Sequence, residues 1–335
     1  MKKILLLSNY KRGVGGINAQ VDLLQQFIHQ EDGWQADIFS TKGNPLCRCI
    51  AFLRLLCKAR HYDVLHIHAC SYWGMVPAVF GIIAGKLWRK RIIITYHGGE
   101  AAEYFAKHIK FARRWLCYAN QVVVLSGFLK EIFDRYEIPC MIIPNIVVMQ
   151  PQQKRDCTIR PRFISIRHLE QLYNIPCILE AYKQVLVCYP NASLDILGQG
   201  PMREQLEQYV AENHLTGVRF LGQVPNNKIY DCFANANIML SSPKADNMPV
   251  SLLEAMNAGL LVISSRVGGV PYMIEHRKTG LLFESGNADA LAQEMLWALG
   301  HPDKVSHIIM QAQDDVQKYT WENVKENILN LYEQI

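Results

Sequence analysis

Two carboxylates, Asp246 and Glu254, stand close together in the stretch SSPKADNMPVSLLEAMNAGLLVISSRVGGVPYMI, residues 241–274. Asp246 follows an apolar run, Pro249 sits where a first helical turn begins, and Glu254 falls inside the helical pattern that follows. Ionised carboxylates only accept hydrogen bonds, which suits the paired hydroxyls of a sugar or ribose. The N–H groups of Val250 and Ser251 at the helix start suit a phosphate. Gly268 and Gly269, after the next strand, let a backbone approach where a side chain would obstruct. One short segment thus offers complementary surfaces for a nucleotide sugar. The same residues also fit a capped surface helix closed by Gly259 with its acids in solvent, and the pair of acids alone favours that plainer reading.

The first half carries a second group of candidates. Gly13, Gly15 and Gly16 lie in GVGGINAQVDLL between a first strand and a helix. Asn18 and Ala19 occupy the later positions, so this is not the dinucleotide G-x-G-x-x-G fingerprint; a phosphate loop and a plain tight turn fit equally. His97, in TYHGGE, ends a strand beside two glycines, where ligands of open parallel sheets bind. His66 and His68, within DVLHIHA, are expected to shape a cleft floor or pack locally. No Ser-His-Asp order, His-Cys cluster or HExxH spacing occurs, so hydrolase and zinc chemistry have no support and no metal ion is expected.

Short β-branched or leucine-rich runs alternate with helical patterns along the chain, the signature of βαβ units. The fold class is α/β. Strands are expected at 4–7, 35–39, 64–67, 92–96, 122–125 and 141–143. A second series follows at 163–166, 193–197, 218–221, 238–240, 261–264 and 280–283. Between the two, residues 144–161 hold three prolines and three glutamines without apolar periodicity, which marks a linker. The expected division is a first Rossmann-like domain over 1–150, a linker over 151–161 and a second domain over 162–335. Strand ends of two such domains would face a central cleft. Residues 321–335 form an amphipathic helix with Val324, Ile328, Leu331 and Tyr332 on one face; it is grouped with the second domain, although the pattern fits packing on either.

The 335 residues suffice for two cores, and 50% hydrophobic with 19% charged residues excludes disorder, collagen and coiled coil. Ten cysteines without a CxxC pair fit a reducing cytosol. The apolar run after Met1 is too short for an export signal and reads as a buried strand. Residues 69–85, uncharged but interrupted by Gly74, Pro77 and Gly81, read as a buried core helix. The net charge of +5 hides an asymmetry: residues 1–150 hold 19 basic and 10 acidic side chains. A nucleic-acid module is not expected, since no stacking platform is interleaved with that charge.

Residues 241–274 resemble the Glu-x(7)-Glu region of the retaining GT-B glycosyltransferases of family four, with Asp246 in place of the first Glu and Glu254 matching the second. LDILGQGPMREQLEQYV (194–210), VRFLGQVP (218–225) and GVPYMIEHRKTGLLF (269–283) resemble the same family's donor domain. The resemblance implies that Asp246 contacts the donor sugar's hydroxyls and Glu254 the ribose. It implies that backbone near Val224 meets the base and that Gly198 lets a strand end approach the donor. His97 matches the histidine that contacts the sugar near the reacting centre, and Gly15 and Gly16 the glycine loop facing the donor phosphate. The family's phosphate clamp, GRLxxxKG, is altered: in SIRHLEQLYNIP Arg167 matches the Arg, but Tyr173 and Asn174 stand where Lys and Gly belong.

The implied activity is retaining, metal-independent transfer of a sugar, without cofactor, from a nucleotide-sugar donor, UDP by default, to a saccharide or lipid-linked acceptor. The role suggested is cell-surface polysaccharide synthesis. An epimerase or phosphorylase on the same fold, and a non-catalytic glycan-binding subunit, stay open. Lys86, Arg89, Lys90 and Arg91, and the helix bearing Lys107, Lys110, Arg113 and Arg114, fit either an anionic membrane surface or ordinary solvated faces. The expected location is the cytoplasm, peripheral on the inner face of the membrane.

Overall fold

Every apolar run read as a strand is one, within a residue or two at its ends. The structure, a computed structural model, describes residues 1–11, 15–149, 159–225 and 228–333. In chain order the first series is β1 (Lys2–Ser8), α1 (Gly16–Gln30), β2 (Trp34–Ser40), α2 (Pro45–Ala59), β3 (Val64–Ala69), α3 (Val76–Leu87), β4 (Arg91–Tyr96), α4 (Ala101–Leu116), β5 (Gln121–Val124), α5 (Gly127–Arg135) and β6 (Met141–Ile142). The second is β7 (Arg162–Ile166), α6 (Ile175–Cys188), β8 (Ser193–Leu197), α7 (Arg203–Glu212), β9 (Val218–Gly222), α8 (Ile229–Ala234), β10 (Ile238–Ser241), α9 (Val250–Asn257), β11 (Leu261–Ser265), β12 (Leu281–Phe283), α10 (Ala288–Gly300), α11 (Pro302–Asp315) and α12 (Trp321–Glu333).

Each series makes one six-stranded parallel sheet. The first has the order β2-β1-β3-β4-β5-β6 and the second β12-β11-β10-β7-β8-β9. Helices cover both faces, so central strands are apolar without alternation; Ile4, Leu5, Leu6 and Leu7 of β1 are all fully buried. Counted from its own first strand, the second sheet runs 3-2-1-4-5-6, and its order reverses between β7 and β10. The first reverses between β1 and β3. A crevice forms outside the carboxyl ends of the strands at such a reversal, because the two connections leave in opposite directions.

The chain divides into two units, Met1–Ile146 with Tyr319–Ile335, and Val147–Lys318. The first unit's terminal segment corrects the expected grouping of residues 319–335 with the second domain. Its apolar stripe, Trp321, Val324, Ile328, Leu331 and Tyr332, joins Ile4, Val21, Ile28 and Ile93 in one core. Polar contacts fix the docking. Trp321 Nε1 donates to Glu31 at 2.9 Å, and Arg91 Nε donates to the Leu331 carbonyl at 2.7 Å. An amphipathic stripe states only that a core is needed, not which one.

Most of the expected linker 151–161 lies outside the described residues, as does Gly13. Ile159, at the linker's end, packs on the second unit's core. Of the uncharged stretch at 69–85, only residues from Val76 on form the expected helix, with Ala78, Gly81, Ile82 and Ala84 of α3 inside; Ala69 ends β3, and Tyr72–Met75 make a short turn with Trp73 exposed. Gly81 and Gly85 are needed there, since a Cβ would lie 2.5 Å from Ile67 and 2.6 Å from Ile92.

Candidate functional site

The strand reversal of the second unit gathers three of the expected residues' side chains or backbones. Arg167 leaves the end of β7 and Ser241 ends β10. The Arg167 guanidinium donates to Ser241 Oγ from Nη2 at 3.0 Å, and its Nη2 lies 3.1 Å from Asp246 Oδ2 in an ion pair. Asp246 Oδ1 accepts from the Asn247 amide at 2.8 Å, which fixes the carboxylate in the loop. Gly198, ending β8 with φ +135°, donates its amide to the Gly222 carbonyl at 2.7 Å. A Cβ there would stand 1.9 Å from the Arg167 carbonyl oxygen. The glycine expected to admit a ligand therefore admits the Arg167 main chain.

Tyr173, in the position of the family's Lys, lies under the guanidinium, with Arg167 Cζ 5.5 Å from the ring centroid. This cation–π contact orients Arg167 without adding charge. Asn174, in the position of the Gly, has φ 47° and ψ 46°. Asn is the residue other than Gly that most readily adopts this left-handed conformation, so the turn into α6 survives the replacement. Ser242 Oγ donates to the Tyr173 and Asn174 carbonyls at 3.1 and 2.8 Å, tying this turn to the loop after β10.

Glu254 lies half-buried on α9. Its carboxyl has no hydrogen-bond or ionic partner among the described residues. Burial pushes its pKa up to about 7, because removal from water disfavours the ionised form. No side chain caps the start of α9 at Pro249. Ser251 Oγ, on its first turn, is buried without a hydrogen-bond partner among the described residues. Val250 opens the helix as expected. Gly269 is required by crowding, since a Cβ would meet the Asn247 carbonyl oxygen at 2.1 Å. Val224 lies half-buried in the loop after β9.

The first unit holds the other candidates. Gly15 caps α1 with φ +81°, and a Cβ on Gly15 or Gly16 would meet nothing within 4 Å. Conformation demands Gly15, and among the described residues open space lies at both. His97, past the end of β4, is half-buried, and its Nε2 is 2.9 Å from Nδ1 of His68. The two rings stack at 5.2 Å, and His68 stacks on His66 at 4.6 Å. His66 completes the row through Tyr332 Oη at 2.6 Å and Thr95 Oγ1 at 2.7 Å. Burial drives the pKa of His97 down to about 4 and of His66 to about 3, and that of His68 well below its ordinary value. All three rings are neutral at pH 7.

His68 Nε2 is buried with no hydrogen-bond partner among the described residues. An unpaired buried N–H is the costlier orphan, which places the His68 proton on Nδ1, donating to His97 Nε2. His97 then carries its own proton on Nδ1. This network was not legible beyond one signal: His66 and His68, two apart on a strand, point to the same face. Ser241 and Tyr173 were likewise not singled out for contact with Arg167; only the position of Ser241 at a strand end hinted at it.

Comparison with known proteins bears on both units. Residues 25–150 match the family described as Glycosyltransferase Family 4, and residues 150–315 match Glycosyl transferases group 1. N-acetyl-alpha-D-glucosaminyl L-malate synthase of Bacillus anthracis is 28% identical over 298 residues, covering 83% of this chain and 75% of the relative. Sulfoquinovosyl transferase SQD2 of Arabidopsis thaliana is 27% identical over 157 residues, covering 45% of this chain but 30% of its own length. The chain thus spans less than a third of that relative. Among solved structures, Anabaena HepE in complex with UDP-glucose superposes with a TM-score of 0.82 at 19% identity, covering 100% of both chains. Sucrose-phosphate synthase from Thermosynechococcus elongatus gives 0.82 at 19% identity over 100% of this chain and 99% of that one. Twin parallel six-stranded sheets with a returning terminal helix are the GT-B fold of these neighbours. With matches running from residue 25 to residue 315 of 335, the chain belongs to the group 1 glycosyl transferases of glycosyltransferase family 4.

Proposed function

We propose that the chain is a retaining hexosyltransferase that moves a sugar from a nucleotide-sugar donor to a saccharide or lipid-linked acceptor, in the synthesis of cell-surface polysaccharide. The observation that carries this reading is the Arg167–Ser241–Asp246 cluster at the strand reversal, on the same unit as a buried carboxyl, Glu254, without a hydrogen-bond or ion-pair partner among the described residues. The second unit is the donor unit. Arg167 and the start of α9 at Val250 and Ser251 meet the diphosphate, Asp246 accepts from sugar hydroxyls, and Glu254 accepts from the ribose diol. Val224 backbone meets the base. The first unit supplies the acceptor surface, with Gly15 and Gly16 assigned to the diphosphate and His97 to the reacting sugar.

In the reaction, the bond between the sugar's anomeric carbon and the diphosphate oxygen breaks, and the acceptor oxygen bonds to that carbon from the same face. The acceptor's proton passes to the departing diphosphate oxygen. Arg167 holds the charge that grows there, so neither a metal ion nor a second protein carboxylate is required. Neutral His97, with its proton on Nδ1, donates a hydrogen bond to a sugar oxygen. UDP is the proposed nucleotide, supported by HepE complexes with UDP and with UDP-glucose. The enzyme works in the cytoplasm, peripheral on the anionic inner face of the membrane.

A thermal-shift panel of UDP, GDP and their sugars tests the donor, since a ligand that binds only the folded state stabilises it by mass action. UDP and a UDP-sugar should raise the melting temperature, and NMR of the glycoside product should show the donor's anomeric configuration. An inverted product would overturn the retaining mechanism. A rearranged sugar nucleotide formed without acceptor would instead make the chain an epimerase.

A further inference from the structure

α2 is apolar on two opposite faces. Asn44 starts it, accepting from the Cys47 amide at 2.9 Å, with Pro45 on the first turn. One face meets the protein. Leu55 and Ala59 are fully buried, Phe52 stacks on Phe80 of α3 at 4.7 Å, and Trp88 Nε1 donates to the Leu56 carbonyl at 2.6 Å. On the other face Leu46, Ile50 and Leu53 follow the helical repeat as one stripe. They are 70%, 43% and 63% exposed. A helix packed on one side needs only one apolar stripe; a second, left in water, marks a contact surface.

The segment that carries this stripe is cationic, with Asp37 and Glu100 at its two borders. From residue 38 to residue 99 the chain carries nine lysines and arginines and a single carboxylate, Asp63. That carboxylate is engaged, since Asp63 Oδ2 accepts from the Lys3 amide at 2.8 Å. Arg54 flanks the stripe in solvent. Arg48 lies over the ring of Trp73, 5.2 Å from its centroid, and Trp73 is 75% exposed. Leu87 and Trp88 at the end of α3 are exposed as well. Aliphatic residues with an exposed tryptophan and a cationic surround match the boundary of an anionic bilayer, where acyl chains lie beneath phosphate headgroups. A protein partner would need complementary acids, and a second copy of this face would bring like charges together.

The basic helix α4 is a poorer surface. Its apolar residues Tyr104, Phe105, Ala112 and Leu116 are in the core. Two of its cations are paired, Lys107 with Glu103 at 2.6 Å and Arg113 with Glu137 at 3.0 Å.

We infer that the exposed stripe Leu46–Ile50–Leu53 of α2, with the cations around it, is the surface by which the protein lies on an anionic lipid bilayer. The inference rests on the peripheral location proposed above and specifies its site. The test is sedimentation of the full chain with vesicles of phosphatidylcholine, with and without phosphatidylglycerol. The wild type should sediment only with the anionic vesicles. L46S/I50S/L53S should weaken that binding at least about tenfold, Arg54→Glu should weaken it too, and K110E/R114E should bind as the wild type does. These side chains are exposed, so melting temperatures and UDP binding should be unchanged in all three variants. If L46S/I50S/L53S and Arg54→Glu sediment like the wild type, α2 is not the surface, while the peripheral location stands. If the wild type sediments with neither vesicle, both fall, and the transferase reading is untouched.

Discussion

At the scale of residues, the chemistry turns on how burial sets charge. Glu254 has a folded-state pKa raised to about 7 by burial. Between the ordinary carboxylate pKa and pH 7 the folded chain holds a proton that the unfolded chain has released, so this residue's contribution to stability falls as pH rises through that window. Glu254→Gln, neutral throughout, should therefore melt higher than the wild type at pH 8 by on the order of 2–3 kcal/mol, and equal it at pH 4.5. Chemical denaturation at the two pH values reads this directly, and a wild type that equals the variant at pH 8 would contradict it. The replacement of Gly by Asn174 makes a separate prediction. Asn174→Gly should keep full stability, whereas Asn174→Val should lose about 1–2 kcal/mol in thermal melts, because a branched side chain resists the left-handed conformation. The carboxylates and His97 were singled out as candidates from residue type and position together with the family resemblance. The partners of Arg167 were not, because Ser241 and Tyr173 approach it through the fold rather than along the sequence.

At the scale of elements, strands were legible throughout, because a parallel strand buried on both faces writes itself as a continuous apolar run. α9 was legible as a helix from a proline start and a glycine stop. α12 was legible as a helix but not as a member of the first unit. Its attachment rests on contacts with distant residues, among them Tyr332 Oη on His66 Nδ1 at 2.6 Å. Tyr332→Phe should leave that buried nitrogen without its partner and cost about 1–3 kcal/mol by thermal denaturation. No loss would show that packing alone holds the helix. α4 reads as a basic amphipathic helix that could meet a membrane, yet most of its apolar side is spent on the core, with Phe111 left exposed. α2, whose second apolar stripe has no core to fill, escaped notice because a continuous apolar pattern resembles a buried helix.

At the scale of the whole molecule, the two units respond to acid in opposite senses. His66, His68 and His97 stay neutral when folded but take up protons when unfolded below about pH 6.5. The unfolded state then binds more protons, so the first unit loses stability as pH falls toward 4, while the Glu254 contribution to the second unit grows. Five of the six tryptophans lie in the first unit, with Trp297 in the second, so tryptophan fluorescence follows mainly the first. Fluorescence-detected melting should shift down from pH 7 to pH 5, and a shift upward would contradict the buried neutral histidines. Charge divides in the same way, with the cations concentrated in the first unit and the nucleotide-binding carboxylates proposed in the second.

In the proposed reaction the second unit holds a nucleotide sugar through Arg167, Asp246 and Glu254. Calorimetric titration of UDP into the full chain and into Glu254→Ala tests it most directly. Saturable binding to the wild type is expected and none detectable to the variant at the same concentrations, with both proteins folded by circular dichroism. Equal affinity for the two would contradict the assignment of Glu254 to the ribose and, with it, the placement of the donor in this unit.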